Sequence, residues 1–324
     1  MKLCNLETLL FILFNLFALS LLLADLKLFH RKGRVTRPTQ ALAASAGWIA
    51  LALAFAAGIY FWQGRLVALD FITGYVLELS LSVDNLFIFL LVFRYFTVPE
   101  EQQHRVLFYG ILGAMLMRGL FIVAGVSLIQ RFHWILYGFG ILLIYSGARL
   151  FIAGSHQVNP AKNPLVKALR RWMPVTDHFE GGKFLVRGGC GKPTALCATP
   201  LLLVLIVIET SDLIFAVDSI PAVLAVTLNT FIVYTSNVFA IMGLRSVYSA
   251  LAGLMQTFRY LHYGLALILV LVGLKMLAAD YYRVSTTWTL LTIAAVLLVS
   301  IAASVTQREK SNRDADPSDA GLSS

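Results

Sequence analysis

Apolar residues along this chain fall into nine blocks, each long enough for a helix that crosses a bilayer. A hydrocarbon core of roughly 30 Å needs roughly 20 apolar residues in a helix. The blocks cover about residues 6–26, 41–62, 67–93, 107–130, 134–152, 195–219, 231–250, 261–279 and 285–305. The pattern predicts an all-α, polytopic membrane protein with nine transmembrane helices, because nine buried core helices in series are not typical of a soluble domain.

Three of these blocks are repeated later in the chain. Asn85 matches Asp212 and Arg118 matches Arg245, both at an offset of 127. Gly147 matches Gly273 at an offset of 126. A unit of three spans is odd, so the second copy enters the membrane from the opposite side. The sequence therefore predicts two inverted three-helix repeats, whose sites typically lie near the midplane at the repeat interface.

The repeats divide the chain into six segments. The predicted order is two N-terminal transmembrane helices, repeat 1, a cytoplasmic linker, repeat 2, a final transmembrane helix and a cytoplasmic tail, over residues 1–66, 67–152, 153–194, 195–280, 281–306 and 307–324. The linker contains Pro160, Pro164 and Pro174, two Gly-Gly pairs and a basic run that predicts a short interfacial helix at about 163–173. The polar tail is predicted to be disordered.

Charge orients the predicted bundle. The chain is 59% hydrophobic and 13% charged, with a formal net charge of +9. With the N-terminus outside, the inside segments carry eighteen Lys and Arg against four outside. This positive-inside pattern predicts a bacterial inner-membrane protein with a periplasmic N-terminus and a cytoplasmic C-terminus. Anionic lipid of the cytoplasmic leaflet is the expected partner of the basic loops, and nucleic acid is not needed to explain them. The sequence predicts no particular protein partner.

Five acids lie in the middle of these apolar blocks: Glu78, Asp84, Glu209, Asp212 and Asp218. Even lenient insertion scales place the cost of one such charge at about 2.5–3.5 kcal/mol. We therefore predict a cation pathway. The plainer alternative is that these side chains only bond helices to one another.

Helical spacing predicts how the acids are arranged. Glu78 and Asn85 share one stripe of the third span, and Glu209 and Asp212 share a face of the sixth. Asp218 points to the opposite side of a straight helix. Either the sixth span breaks near Pro221, or Asp218 serves another position on the path. Pseudo-symmetry is expected to bring Asp84, Asn85, Asp212 and Glu209 together at the midplane, with Glu78 beside them.

The candidate metal ligands are Glu78, Asp84, Asn85, Glu209, Asp212 and Asp218. Carboxylate, amide and hydroxyl oxygens suit a hard divalent cation such as Mn²⁺, Mg²⁺ or Ca²⁺. The ion is predicted to be a transported substrate; no cofactor and no enzymatic activity are expected. The three cysteines have neither metal-ligand spacing nor a disulfide framework, and those near the cytoplasm are expected to be reduced.

Arg118 and Arg245 are the predicted intramembrane counterions. They either hold the fold by pairing with carboxylates, or they occupy the carboxylates when the metal leaves. Five acids and two arginines sum to −3 if all are ionised, so a divalent ion leaves −1. Protonation of one acid would neutralise the remainder, which permits proton-coupled exchange without requiring it.

These same residues resemble the TerC family of integral membrane proteins, and most of all its Alx-like branch. The matching segments include Gly74–Glu78, Ser82–Phe87, Phe215–Ala222, Thr235–Ile241 and Gly243–Ser246, within about residues 67–280. The resemblance implies a bacterial inner-membrane protein linked to manganese efflux, in a family named for tellurium resistance. It also implies acids where the five listed above stand. The alternatives are a non-transporting partner that delivers metal to secreted proteins, a redox or stress modulator, and an anion exporter that uses the two arginines.

Overall fold

The computed structural model of this chain describes residues 2–30, 38–132, 134–153, 164–176, 179–187, 196–251, 261–279, 282 and 284–314. Within these ranges the side chain of Asp84 lies outside the description. The described elements are helices α1 Lys2–His30, α2 Pro38–Gln63, α3 Arg65–Tyr95, α4 Glu100–Arg131, α5 Ile135–Ala153, α6 Pro164–Trp172, α7 Pro200–Leu224, α8 Thr230–Leu251, α9 Leu261–Leu277 and α10 Thr286–Asp314, with strands β1 Leu185–Arg187 and β2 Leu196–Ala198.

Several of these helices are suited to a bilayer. Among the described residues, six helices are long and apolar enough to cross it: Thr39–Gln63, Glu100–Arg131, Ile135–Ile152, Pro200–Leu224, Thr230–Ala250 and Thr286–Ser304. Two shorter apolar helices cover Thr8–Ala24 and His262–Leu277. Each of these eight helices overlaps one of the predicted apolar blocks. The chain is thus a predominantly helical, multi-pass membrane protein.

Local sequence sets where two of the site-bearing helices begin. Pro99 precedes α4, whose first turn carries Glu100 and Glu101, and acids are favourable at the positive end of a helix dipole. Pro200 opens α7, because proline fits the first helical position and has no N–H to leave unbonded. Strand β2 occupies the residues just before it, so α7 starts five residues later than the predicted span.

Helix α7 runs without a break to Leu224, with Pro221 inside its last turn. The first alternative for the sixth span, a break near Pro221, is therefore wrong. Proline removes only the bond to the carbonyl of Val217, and so close to the helix end the remaining bonds still hold the backbone. Asp218 faces a different neighbour from Asp212, because it accepts a hydrogen bond from Ser146 of α5.

Helices α3 and α4 each pack against both α7 and α8, while α5 packs along α9. Glycines permit the closest of these approaches. A Cβ placed on Gly147 would lie 2.8 Å from a methyl of Val270, and one on Gly273 would lie 2.8 Å from Cγ1 of Ile144. Gly147 and Ile144 stand 126 residues before Gly273 and Val270, so the two contacts are reciprocal.

The structure describes two elements within the predicted linker. A helix, α6, is present where the interfacial helix was predicted, with Val166 buried and Trp172 exposed. Strands β1 and β2 pair antiparallel, with Val186 opposite Cys197, and the sequence did not predict them because each has only three residues. Cys197 is buried and disulfide-bonded, which contradicts the expectation of reduced thiols.

Candidate functional site

A buried guanidinium is the centre of the site. Arg118 extends from α4 with 1% of its surface exposed. It is ion-paired with the Oε1 atom of Glu78 on α3. Its Nε and Nη2 atoms donate to both carboxylate oxygens of Asp212 on α7, at 3.3 and 3.1 Å. Nη1 also donates to Oδ1 of Asn237 at 3.1 Å and to Oγ of Ser219 at 3.4 Å. One side chain thus joins α3, α4, α7 and α8.

A direct bond between the repeated segments lies beside this guanidinium. Nδ2 of Asn85 donates to Oδ1 of Asp212 at 3.1 Å, across the 127 residues that separate them. The stripe predicted on α3 also holds, because Ser82 is buried and its hydroxyl donates to Oε1 of Glu78 at 3.4 Å. Asn85, Asp212 and Glu78 therefore form one polar cluster within the apolar bundle.

Two oxygens of this cluster lack partners among the described residues. Oε2 of Glu78 and Oδ1 of Asn85 are buried and accept no hydrogen bond there. Burying an unsatisfied acceptor costs about 1–3 kcal/mol, and more when the group is charged. Both oxygens therefore have lone pairs available, and they are two preformed positions that a ligand accepting electron pairs could bind.

Both residues line a cavity of about 30 Å³ between α3, α4, α5, α7 and α9. A space of that size holds about one or two waters. Its walls are Glu78, Leu81, Asn85, Arg118, Ser146, Leu150, Phe215, Asp218, Ser219 and Leu269. Ser146 on α5 donates to Oδ1 of Asp218 at 2.7 Å, which fixes this carboxylate at the cavity wall. Asp218 thus reaches the same space as Glu78 from the opposite face of α7.

The other predicted residues are placed differently. Asp212 accepts hydrogen bonds from Arg118 and Asn85 and does not line the cavity. Glu209 is half-buried, with its carboxylate against Gly113 of α4, where a Cβ would overlap it. Arg245 is buried and has an interaction of its own. The role predicted for Asp84 lies outside the described side chains.

Three polar residues at the site were missed from the sequence. Asn237 lies in the run Thr235-Ser236-Asn237, all fully buried, and a polar run in the middle of an apolar block was a usable signal. Ser219 adjoins Asp218 and could have been found the same way. Ser146 is a single hydroxyl beside a glycine, a combination common in packed membrane helices, and it gave no signal.

The described part of the chain contains no group of three or more His, Cys, Asp and Glu side chains arranged to hold a metal ion. Two carboxylates and one amide oxygen at the cavity do offer hard oxygen ligands. Arg118 competes for one of those carboxylates in this arrangement. The site thus has the ligand chemistry of a hard cation and already contains a positive group.

A polytopic membrane protein with a buried ion-pair cluster is the class that fold and site define. The family model described as "Integral membrane protein TerC family" matches residues 63–314, and the chain belongs to this family. It is 45% identical over 304 residues to "Uncharacterized membrane protein STKORF319" of Myxococcus xanthus, covering 94% of each chain.

Other relatives cover nearly as much of the chain. It is 46% identical over 273 residues to "Putative membrane-bound redox modulator Alx" of Escherichia coli K12, covering 82% of this chain and 84% of the relative. An "Uncharacterized membrane protein" of Rickettsia bellii is 36% identical over 297 residues, 92% of this chain and 97% of the relative. No solved structure matches this chain.

Proposed function

We propose that this protein exports a divalent cation, Mn²⁺ above all, across the bacterial inner membrane through the cavity between α3, α4, α5, α7 and α9. The observation that carries the proposal is the pair of buried, unpartnered oxygens, Oε2 of Glu78 and Oδ1 of Asn85, on a cavity that Asp218 also lines. Carboxylate and amide oxygens are the ligands that Mn²⁺, Mg²⁺ and Ca²⁺ prefer. Glu78, Asn85 and Asp218 are the proposed ligands.

Charge supports a divalent ion. Glu78, Asp212 and Asp218 carry −3 when ionised and Arg118 carries +1, so these four groups sum to −2. An ion of charge +2 would neutralise them. A monovalent ion would leave one net charge in a low-dielectric interior, which is costly.

Arg118 is the proposed stand-in for the absent ion. It holds Glu78 while the cavity is empty, and the arriving cation takes that carboxylate over. Arg118 then remains bonded to Asp212 and Asn237, so the guanidinium is not left unpaired. Exchange of one positive group for another keeps the carboxylate of Glu78 paired in both states, and avoids the cost of a bare buried anion at that position.

The proposal includes nine membrane spans and two inverted repeats, with a periplasmic N-terminus and a cytoplasmic C-terminus. The reciprocal contacts between α5 and α9, together with the bond from Asn85 to Asp212, support it. Residues from both repeats line the cavity, as expected for a site at a repeat interface.

The test is Mn²⁺ uptake into liposomes that contain the purified protein. Glu78→Gln removes one proposed ligand charge and should reduce Mn²⁺ flux at least about tenfold, the effect of losing about 1.4 kcal/mol of binding. The matched control is Asp70→Asn, because Asp70 is a half-buried acid near the start of α3 that bonds Thr286, away from the cavity. Equal flux in Glu78→Gln and wild type would contradict the proposed site.

A redox or stress modulator is the second candidate. The disulfide of Cys197 and the printed name of the Escherichia coli relative favour it. If correctly folded wild-type protein moves no Mn²⁺ in liposomes, this candidate gains over transport.

A further inference from the structure

One nitrogen of the Arg118 guanidinium has more acceptors around it than hydrogens to donate. Each terminal nitrogen of a guanidinium carries two N–H bonds. Nη1 contacts three acceptors, which are Oε1 of Glu78, Oδ1 of Asn237 at 3.1 Å and Oγ of Ser219 at 3.4 Å. Nε and Nη2 are directed to Asp212. While Glu78 is paired with Arg118, one of the acceptors around Nη1 is therefore surplus.

Asn237 is oriented to accept a hydrogen bond from Arg118. Its side chain is fully buried on α8, and its Nδ2 atom donates to the carbonyl oxygen of Val233 at 3.0 Å. The opposite orientation of the amide would place an N–H group against the guanidinium, which has only donors. Asn237 does not line the cavity. Its oxygen therefore meets the guanidinium rather than the space proposed for the cation.

The surplus acceptor matters when a cation takes over the carboxylate of Glu78. The two hydrogens of Nη1 then have two acceptors, Asn237 and Ser219, so both stay bonded. Without Asn237 the empty site would still be matched, because Glu78 and Ser219 accept the two hydrogens. The occupied site would instead leave one N–H group of a buried cation without an acceptor, which is costly. Loss of Asn237 thus destabilises the occupied state and spares the empty one.

We propose that Asn237 is a positioning residue that sets the affinity of the site for the cation. It holds the N–H group of Arg118 that is freed when the cation binds Glu78, and it acts through Arg118 without touching the ion. A ligand shifts an equilibrium only by the difference in its interactions with the two states, and Asn237 contributes to that difference. This inference rests on the proposed transport function and adds a residue that determines its affinity.

The experiment measures Mn²⁺ flux into liposomes over a range of Mn²⁺ concentrations. Asn237→Leu keeps a branched side chain and removes the acceptor. It should raise the half-saturating Mn²⁺ concentration at least about tenfold, the equivalent of about 1.4 kcal/mol, and keep the maximum flux within about twofold of wild type. Asn237→Asp keeps an acceptor oxygen and should not raise the half-saturating concentration. Asn237→Val, with a smaller side chain, takes the place of Asn237→Leu if that variant does not fold.

Thr235→Val is the matched control. Thr235 is also fully buried on α8, and its hydroxyl donates to the carbonyl oxygens of Phe231 and Ile232 at 2.8 and 3.3 Å. Its loss should leave the half-saturating concentration of Mn²⁺ unchanged.

A double variant tests whether Asn237 acts through Arg118. In Glu78→Gln, Arg118 and the cation no longer compete for a carboxylate. Adding Asn237→Leu to Glu78→Gln should therefore change the half-saturating concentration by less than about twofold, because the two substitutions remove the same competition.

Three results would overturn the role of Asn237 alone. The first is a half-saturating concentration in Asn237→Leu equal to that of wild type, whether or not the maximum flux falls. The second is an Asn237→Asp variant as impaired as Asn237→Leu. The third is an effect of Asn237→Leu that persists in full in Glu78→Gln, which would mean that Asn237 contacts the ion itself. Absence of Mn²⁺ flux in wild type would instead overturn the proposed function, and this inference with it.

Discussion

Arg118→Leu tests the charge balance on which the site depends. The substitution places an apolar side chain at a fully buried position. It removes the ion-pair partner of Glu78 and Asp212, both at most 7% exposed. Removing one member of a buried ion pair costs about 3–5 kcal/mol, because the remaining charge is left uncompensated. Two carboxylates are stranded here.

The assay is thermal unfolding of purified protein in detergent, followed by tryptophan fluorescence. At about 2–4 °C per kcal/mol for chains of 150–250 residues, the melting temperature should fall by about 6–20 °C. Arg65→Leu is the control, because Arg65 is exposed at the start of α3 and surface changes rarely exceed about 0.5 kcal/mol.

A triple variant isolates the cause. Adding Glu78→Gln and Asp212→Asn to Arg118→Leu removes the stranded charges, so most of the lost stability should return. If Arg118→Leu melts within the range of the Arg65→Leu control, the guanidinium does not compensate these acids. If the triple variant is no more stable than the single one, the loss comes from packing rather than charge.

Two further predictions concern the scaffold. Gly273→Leu should lower the melting temperature of the protein, because even a Cβ would lie 2.8 Å from Ile144, whereas Gly138→Leu should be tolerated since nothing described lies within 4 Å of its Cβ position. Comparable melting of the two variants would contradict the close packing of α5 on α9. Reporter fusions near Lys167 and after Thr306 should both report the cytoplasm, as the charge distribution predicts, and finding them on opposite sides of the membrane would refute the proposed topology.

The helices could be predicted from the sequence because their signal is local. An apolar block long enough to cross the bilayer can be recognised from its own residues. A helix also makes its backbone hydrogen bonds within the same segment, without a distant partner. The 127-residue offset between Asn85 and Asp212 further predicted which distant residues meet. The short strands β1 and β2 could not be predicted, because pairing over three residues depends on the partner segment rather than on a pattern within each strand.

The site was harder to predict, because a carboxylate's neighbours depend on rotation and packing. Spacing placed Glu209 and Asp212 on one face, yet Asp212 bonds Arg118 while Glu209 lies against Gly113. Spacing also directed Asp218 away from them, and the structure places Asp218 at the cavity that Glu78 and Asn85 line. Helical period predicts the direction of a side chain, and only the packed bundle shows what it meets.

The two proposed repeats share some residues at matching positions and differ at others. Arg118 in repeat 1 corresponds to Arg245 in repeat 2, so the arginine is present in both. Glu78, in contrast, corresponds to Leu205. Asp218 likewise corresponds to Leu91. If the protein alternates between two inverted conformations, they cannot be equal in energy, because Arg118 has two acids to pair with and the equivalent positions around Arg245 do not supply the same set. Such inequality gives a resting state in which Arg118 closes the empty site. A cation that competes for Glu78 then shifts the equilibrium only by its preference for one state over the other, so specificity and driving force depend on the same few residues.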